Sequence, residues 1–589
     1  LKELLAINKY IFRYSGRIIL GFIFVALSNY FGILIPQKIG AALDFVQESI
    51  QNTDKTGNRS ALTAALMKFS LIVIAFVVLK GYFMYMMRQT VIVVSRLIEY
   101  DLRKDIFEHL QTQNTSFYKQ SKTGDIMSRI AEDVSKVRNY LGPGILYAFN
   151  LITLFAFTIY AMLIVSPELT LLTLIPLPLL SISIYYVSDK IHMHSTKIQK
   201  QLAKLTVIAQ EVYSGIRVVK SYGKEKMFNN YFGEESEEFR QKSLALARVN
   251  ALFFPLMILL INASTLIVLL VGGQYVLDGK VTAGNIVEFI IYVNMLTWPV
   301  TSIGWIASII QEAEASQARI NAIMNEKTEL PNGGIVLDTV KGDIVFKNVE
   351  FTYPETGIKA LSSFNLHIKA GEKVAVLGKT ASGKSTLAEL LLRMYDPGKG
   401  EIYIDGINLK QLDYHKLRER IAYVPQEIFL FSDTVLANIA FGVNDLSLEK
   451  AREYGQKVCI DDEIMKLKDD YNTVVGERGV TLSGGQKQRI SIARALVRNP
   501  NLVILDDCLS AVDVETEQNI LNYLNEALAD KTAVVITHRV HSLQNFDKII
   551  VIDQGTIVEE GTHDELLQNQ EGFYFQMLEN ANEGVSNWI

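Results

Sequence analysis

The residues from Glu372 to Thr386 read EKVAVLGKTASGKST and hold the densest chemistry in the chain. Val374, Val376 and Leu377 form a short apolar run of the kind a buried strand shows. Gly378 opens a loop through Lys379, Thr380, Ala381 and Ser382. Gly383, Lys384, Ser385 and Thr386 close it at the mouth of the periodic helix LAELLLRMY. This is the P-loop pattern. Glycines let backbone N–H groups crowd around phosphate oxygens, and the helix N-terminus adds partial positive charge. Lys384 has the reach for the outer phosphates, and the Ser385 hydroxyl can ligate Mg²⁺. ATP is the expected ligand. Farther on, the apolar run NLVILDD ends in Asp506, a carboxylate suited to holding Mg²⁺ through water.

Elements that could position such a site fill only the second half of the chain. Its 589 residues are too many for one core and imply more than one domain. The net charge of −5 argues against a nucleic-acid partner. Hydrophobic residues make up 49% but are unevenly spread. The first half holds long apolar runs with few charges, and the second reads as an α/β protein. The two cysteines, Cys459 and Cys508, lack metal-ligand spacing and predict neither a disulfide framework nor a zinc site, in keeping with a reducing, cytosolic setting. The opening LKELLAINKYIFRYSGR shows no cleavable signal pattern.

Six apolar segments are long enough to cross a bilayer, near 17–39, 66–95, 142–165, 168–188, 250–273 and 283–307. Only SPEL separates the third from the fourth, and only a short stretch around LDGK the fifth from the sixth. The connections 96–141 and 189–249 are long and basic. By the positive-inside rule they are cytoplasmic, with both termini and the P-loop half. RLIEYDLRKDIFEHL and KIQKQLAKLTVIAQEVYSGIRVVKSYG carry helical spacing, so the spans are expected to continue inward as helices. The turns at Thr115 to Gly124 and Ser214 to Gly223 are tips that could dock on the ATP-binding half. The cluster Pro331, Asn332, Gly333, Gly334 breaks the last helix. The expected division is a membrane domain over 1–330, a linker over 331–341 and a nucleotide-binding domain over 342–589. In the last of these, short strands such as DIVFKNVEFTY, EIYIDGINL, LVILDD and AVVITH alternate with helical runs, predicting a parallel-rich sheet.

With these pieces in this order the chain resembles an ABC exporter half-transporter, a six-helix membrane domain fused to an α/β ABC ATPase, over nearly its whole length. Leu482 to Gln486 reads LSGGQ, similar to the ABC signature. Ser483, Gly484 and Gly485 open a helix and so offer a second phosphate-binding N-terminus. The resemblance implies that Ser483, Gly484, Gly485 and Gln486 face ATP held by a second subunit. It implies further that Tyr353 in FTYP stacks on adenine and that Gln426 in VPQ is the Q-loop glutamine, reaching Mg²⁺ or the attacking water. Asp513 in SAVD matches the D-loop and His538 in ITHR the switch histidine. Glu477 in TVVGERG matches the exporter X-loop.

Two positions depart from the family pattern. Ala381 stands where glycine is common, which the backbone tolerates if φ stays negative there. Asp507 stands where a glutamate usually polarises the attacking water; it is shorter by one methylene, and a misplacement of order 1 Å can cost about 10²-fold in rate. The resemblance therefore implies ATP-driven export of a hydrophobic or amphipathic drug, lipid or peptide-like substrate by a dimer. This chain's own site is expected to be slow, with a heterodimeric partner favoured over a homodimer. An ATP-gated channel or regulatory subunit would share every motif. A P-loop enzyme on a membrane anchor would need only one or two spans.

The spans contain Tyr82, Phe83, Met84, Tyr85, Met86 and Met87, with Asn262, Asn294 and Trp298, a set that suits packing as well as a large apolar cargo. Lys80, inside the second segment, is costly to place in a bilayer and is a candidate for the pathway, with Glu288 of the sixth segment as its candidate neighbour.

Overall fold

In a computed structural model, residues 2–51, 59–326, 330–476, 482–509, 514–527, 531–540 and 543–582 are described. The chain divides into two compact units, Leu1–Gln111 with Gly124–Glu326, and Thr112–Thr123 with Lys327–Ile589.

The first unit is helical. Among the described residues, five helical stretches have the length and hydropathy to cross a membrane: Ser15–Ile50, Leu62–Gln111, Thr123–Val165, Glu225–Leu277 and Ala283–Met324. The expected fourth segment does not form one such helix. Its residues are split between Pro167–Leu174 and Pro176–Ser214. Pro176 has no N–H to continue the backbone ladder, so the interruption falls at the residue before it. The helix Glu225–Leu277 is 53 residues long. At 1.5 Å per residue it extends about 80 Å, far more than the ~30 Å of hydrocarbon, so a large part of it must lie outside the bilayer. Apolar side chains from several helices, including Ile33, Met162, Val268, Phe289 and Leu296, pack as one cluster.

Inside the apolar bundle, several buried polar groups are paired, while the hydroxyls of Thr158, Thr173 and Ser264 are not. Asn29 donates to Thr153 Oγ1 at 2.7 Å, and Tyr292 donates to Glu288 at 2.8 Å. Such pairing offsets the cost of removing these groups from water. Lys80 lies against the first helix, its Nζ 3.3 Å from where a Cβ on Gly32 would stand. The Glu288 carboxylate accepts from Tyr292 and Asn285.

The second unit is α/β. Among the described residues it contains ten strands: β1 (Ile344–Thr352), β2 (Lys359–Ile368), β3 (Lys373–Gly378), β4 (Lys399–Ile404), β5 (Ile407–Asn408), β6 (Ile421–Val424), β7 (Leu502–Asp506), β8 (Thr532–Ile536), β9 (Lys548–Asp553) and β10 (Thr556–Gly561). One antiparallel sheet runs β2-β1-β4-β5, and the other runs β10-β9-β3-β8-β7-β6. In the second sheet β9, β3, β8, β7 and β6 are mutually parallel. β7 and β8 are buried at every position, as expected of strands covered on both faces. The first expected tip, Thr112–Thr123, belongs to this unit, and Asn114 caps its helix Thr115–Gln120 by accepting from Phe117 N. The other tip is the helix Ile216–Ser221, ended by Gly223 at φ 60° within the first unit.

Candidate functional site

The register of the parallel sheet brings the predicted residues to one edge. Val376 of β3 pairs with Ile536 of β8, and Ile536 pairs with Asp506 of β7. Leu505 pairs in turn with Val424 of β6. Gly378, Asp507, His538 and Gln426 therefore lie at or just beyond the carboxyl ends of neighbouring strands, where open α/β sheets bind ligands.

At the end of β3 the backbone turns sharply. Gly378 has φ 148° and Gly383 φ 103°. A Cβ at Gly378 would stand 2.1 Å from the Ile552 carbonyl oxygen, and one at Gly383 would stand 2.4 Å from that of Ala360. Only glycine fits either position. Ala381 sits at φ 63°, not at the negative φ assumed from its side chain, and carries the left-handed penalty of roughly 1 kcal/mol. The loop has folded around a demand stronger than that residue's own preference.

Lys384 begins the helix Lys384–Leu391 and is 5% exposed. Its ammonium donates to the carbonyls of Gly378 at 2.8 Å and Lys379 at 2.7 Å. Burial pulls its pKa down to about 8, against the opposing charges of Asp506 and Asp507. Ser382 Oγ is buried with no hydrogen-bond partner. An orphan hydroxyl and a buried cation inside a glycine-shaped loop fit a phosphate chain.

Asp506 is 2% exposed, and Ser385 donates a hydrogen bond to it. Burial raises its pKa, with Asp507 adding to the shift and Ser385 and Lys384 opposing it. Among the described residues no three His, Cys, Asp or Glu side chains converge as a preformed ion cage. A hydroxyl beside one carboxylate instead fits a hard cation that keeps water and phosphate oxygens as its other ligands.

Asp507 has φ 43° and its N–H donates to the Ile536 carbonyl at 2.9 Å. This fixes the Asp507 backbone beside the end of β8. His538 is exposed by area, yet crowding lowers its pKa, helped by Lys384 and opposed by Asp507. The shift favours the neutral imidazole, which can both donate and accept. The neighbouring Arg539 pairs with Glu517 and so anchors the loop carrying His538. Gln426 is exposed two residues beyond β6.

Tyr353 follows β1. Its hydroxyl is 2.9 Å from Thr386 Oγ1 and donates to Glu389 at 2.8 Å, so it is tied to the P-loop helix. Ser483 caps the helix Gly484–Leu496 by accepting from Gln486 N, while the Gln486 side chain accepts from Ser483 N at 2.9 Å and donates to Glu463 at 2.8 Å. This capping box leaves Gly484 and Gly485 to form the first turn. Asp513 and Glu477 lie outside the described residues. Glu389 and Glu463, each bonded to one of the expected site residues, and Glu517, which pairs with Arg539 next to His538, were not singled out from the sequence. Glu389 lies four residues after Ser385 on the same helix face, which was the only available signal.

The model of the ABC transporter transmembrane region matches residues 18–300, and that of the ABC transporter matches 361–510. The chain is 33% identical over 575 residues to the multidrug resistance-like ATP-binding protein MdlA of Escherichia coli (strain K12), covering 97% of this chain and 95% of that protein. This chain belongs to the ABC exporter family. The half-transporter is also 38% identical over 488 residues to a probable multidrug resistance ABC transporter ATP-binding/permease protein, YheI, of Bacillus subtilis (strain 168), covering 82% of this chain and 83% of that one. It is 36% identical over 488 residues to the ATP-dependent lipid A-core flippase of Pseudomonas fluorescens (strain Pf0-1), covering 82% and 80%. A bacterial Atm1-family ABC exporter solved with ATP bound superposes with a TM-score of 0.77 at 25% identity, over 96% of this chain and 99% of that one. The exporter is thus a multi-pass membrane protein with a nucleotide-binding ATPase unit.

Proposed function

We propose that this chain is one half of a dimeric exporter that uses ATP to move a hydrophobic or amphipathic compound out across the cytoplasmic membrane, with both termini in the cytoplasm. The observation that carries the reading is the convergence of Lys384, the Ser385–Asp506 pair, Asp507 and His538 on one sheet edge, in a chain that also has membrane-crossing helices. Residues 1–330 would form the pathway, 331–341 the linker and 342–589 the motor.

Each group then has a task. The loop from Gly378 to Thr386 and the Lys384 ammonium would hold the phosphates, and Tyr353 would stack on adenine. Ser385, Asp506 and Gln426 would hold Mg²⁺, which neutralises phosphate charge when bound. Asp507 would polarise water, and neutral His538 would contact the outer phosphate. Ser483, Gly484, Gly485 and Gln486, with Asp513, would complete the nucleotide site of a second half-transporter. Closure of two such sites would favour an outward-facing arrangement, and loss of phosphate would reverse it, which is differential binding to two states. Because Asp507 is short and its backbone is pinned, we propose that this chain's own site turns over slowly and that its partner is a different half-transporter.

The test is transport and binding together. In proteoliposomes, ATP should drive uphill accumulation of a lipophilic dye with stoichiometric phosphate release. Lys384→Ala should abolish tight ATP binding at this chain's site, and unchanged affinity in a titration would overturn the assignment. Flux that only follows the gradient while ATP is spent catalytically at a negligible rate would support an ATP-gated channel instead.

A further inference from the structure

The helix Val93–Gln111 takes over where the second apolar segment ends, and the helix Val134–Asn139 stops just before the third begins. At this boundary the two helices bring three guanidinium groups to one buried carboxylate. Arg96 donates to Glu99 Oε2 at 3.0 Å, Arg103 pairs with Glu99 Oε1 at 2.9 Å, and Arg138 Nε lies 3.4 Å from Glu99 Oε2. Three positive charges meet one negative charge.

No second carboxylate balances the set among the described residues. Farther along the same helix, Asp101 accepts from Arg13 and Tyr14, Asp105 accepts from Lys9 and Tyr10, and Glu108 pairs with Lys104. Arg138 is the group left short. Its side chain is only 17% exposed, yet its Nε is buried with no hydrogen-bond partner. A guanidinium carries five donors, and burying one beside two other cations is costly unless an acceptor reaches it. The backbone is also unusual at this level. Arg88–Ile92, before the first helix, and Tyr140–Gly144, after the second, are wide π-helical turns, a form that recurs at functional sites. Gly142 in the second turn lets the helices close, since a Cβ there would stand 2.6 Å from Ser95 Oγ.

The missing group is an anion, and its chemistry follows from the donors. Planar guanidinium groups grip phosphate oxygens through paired N–H bonds. Arg96 and Arg103 are 61% and 45% exposed, so the cluster is open on one side. It also sits where two apolar spans give way to polar helix, which is the depth of lipid phosphates rather than of bulk solvent. We propose that Arg96, Arg103 and Arg138 form a binding site for the phosphate of an anionic lipid. The headgroup completes the pairing of Arg138 and fastens the second and third spanning helices to each other at the membrane surface. Glu99 gathers the three arginines and, by its own charge, limits the affinity. On the orientation proposed above, the lipid belongs to the cytoplasmic leaflet.

The test uses the full-length protein, delipidated in detergent, with native mass spectrometry to follow the first lipid bound as phosphatidylglycerol or phosphatidylcholine is added. Phosphatidylglycerol should bind about tenfold more tightly than phosphatidylcholine, because the cluster carries excess positive charge. Arg138→Gln should weaken phosphatidylglycerol binding about tenfold, the scale of one charge-assisted hydrogen bond. The exposed Arg96→Gln should weaken it about threefold, and it keeps the test open should the buried change unfold the protein. Glu99→Gln distinguishes a lipid site from a purely structural ion-pair network. It removes the only negative charge of the cluster, so phosphatidylglycerol should bind about threefold more tightly or better, where a structural network would gain no affinity. Equal binding of the two lipids, unchanged affinity in both arginine variants, or weaker binding in a folded Glu99→Gln protein would each overturn the proposal. Saturation by inorganic phosphate with no response to phosphatidylglycerol would assign the site to a soluble anion and overturn it as well. Lipid binding is read without ATP, so failure of the exporter reading would show separately in the transport assay.

Discussion

Replacing Asp507 by glutamate tests the proposed slow site most directly. β7 is buried throughout, and the Asp507 N–H is bound to Ile536 O at 2.9 Å, so the backbone cannot carry a short carboxylate forward. One added methylene advances the carboxyl group by about 1 Å, and a correction of that size at a reacting group is worth about 10²-fold, or ~2.7 kcal/mol of barrier. The substitution also has a cost. Asp507 lies at φ 43°, a conformation short polar residues accept better than glutamate, so stability should fall by about 1 kcal/mol. The assay is phosphate release by protein expressed without any partner, with a thermal melt run beside it. For half of a heterodimer, turnover should rise less than about tenfold, because no second subunit supplies the opposing signature residues. A near-100-fold rise would reject the heterodimeric assembly in favour of a homodimer with two repaired sites. A fall in turnover with an unchanged melt would refute the argument that reach limits this site.

Other perturbations have equally definite outcomes. Gly383→Ala forces a Cβ to 2.4 Å from the Ala360 carbonyl at φ 103°; it should destabilise the nucleotide-binding unit by at least ~2 kcal/mol in denaturant unfolding, and an unchanged midpoint would contradict the loop geometry. Lys384 has a pKa of about 8 that a bound phosphate would raise, so ATP binding should take up a proton. Affinity should fall as pH rises above about 8, by up to ~10-fold per unit, in calorimetric titrations. In the nucleotide-free protein the sign reverses: the folded state binds fewer protons than the unfolded chain between pH 8 and the ordinary lysine value, so this group's effect on stability becomes more favourable as pH rises through that window. Lys80→Met should change which lipophilic compounds stimulate ATPase while leaving the melting temperature within a few degrees; an identical stimulation profile would remove Lys80 from the pathway.

The sequence by itself determined the membrane-spanning helices, the α/β motor and the P-loop. Each is written in contiguous residues whose periodicity or glycine spacing answers to local backbone physics. Gly378 and Gly383 were legible because no other residue accepts their φ and their close carbonyl neighbours. Local signals failed where the surroundings overrode them. Ala381 by preference takes negative φ, but it is held at 63° by a loop closed from both ends. The break in the fourth apolar segment between Leu174 and Pro176 was not legible, because hydropathy does not register the missing N–H of Pro176. The contact between Gln486 and Glu463 was not legible either, because it exists only once two helices pack. Lys119 and Glu389 are 270 positions apart and each looks like one more surface charge. Only tertiary structure decided that they meet on Tyr353, because an ion pair has no sequence period: its strength depends on distance and burial, and both are properties of the folded chain.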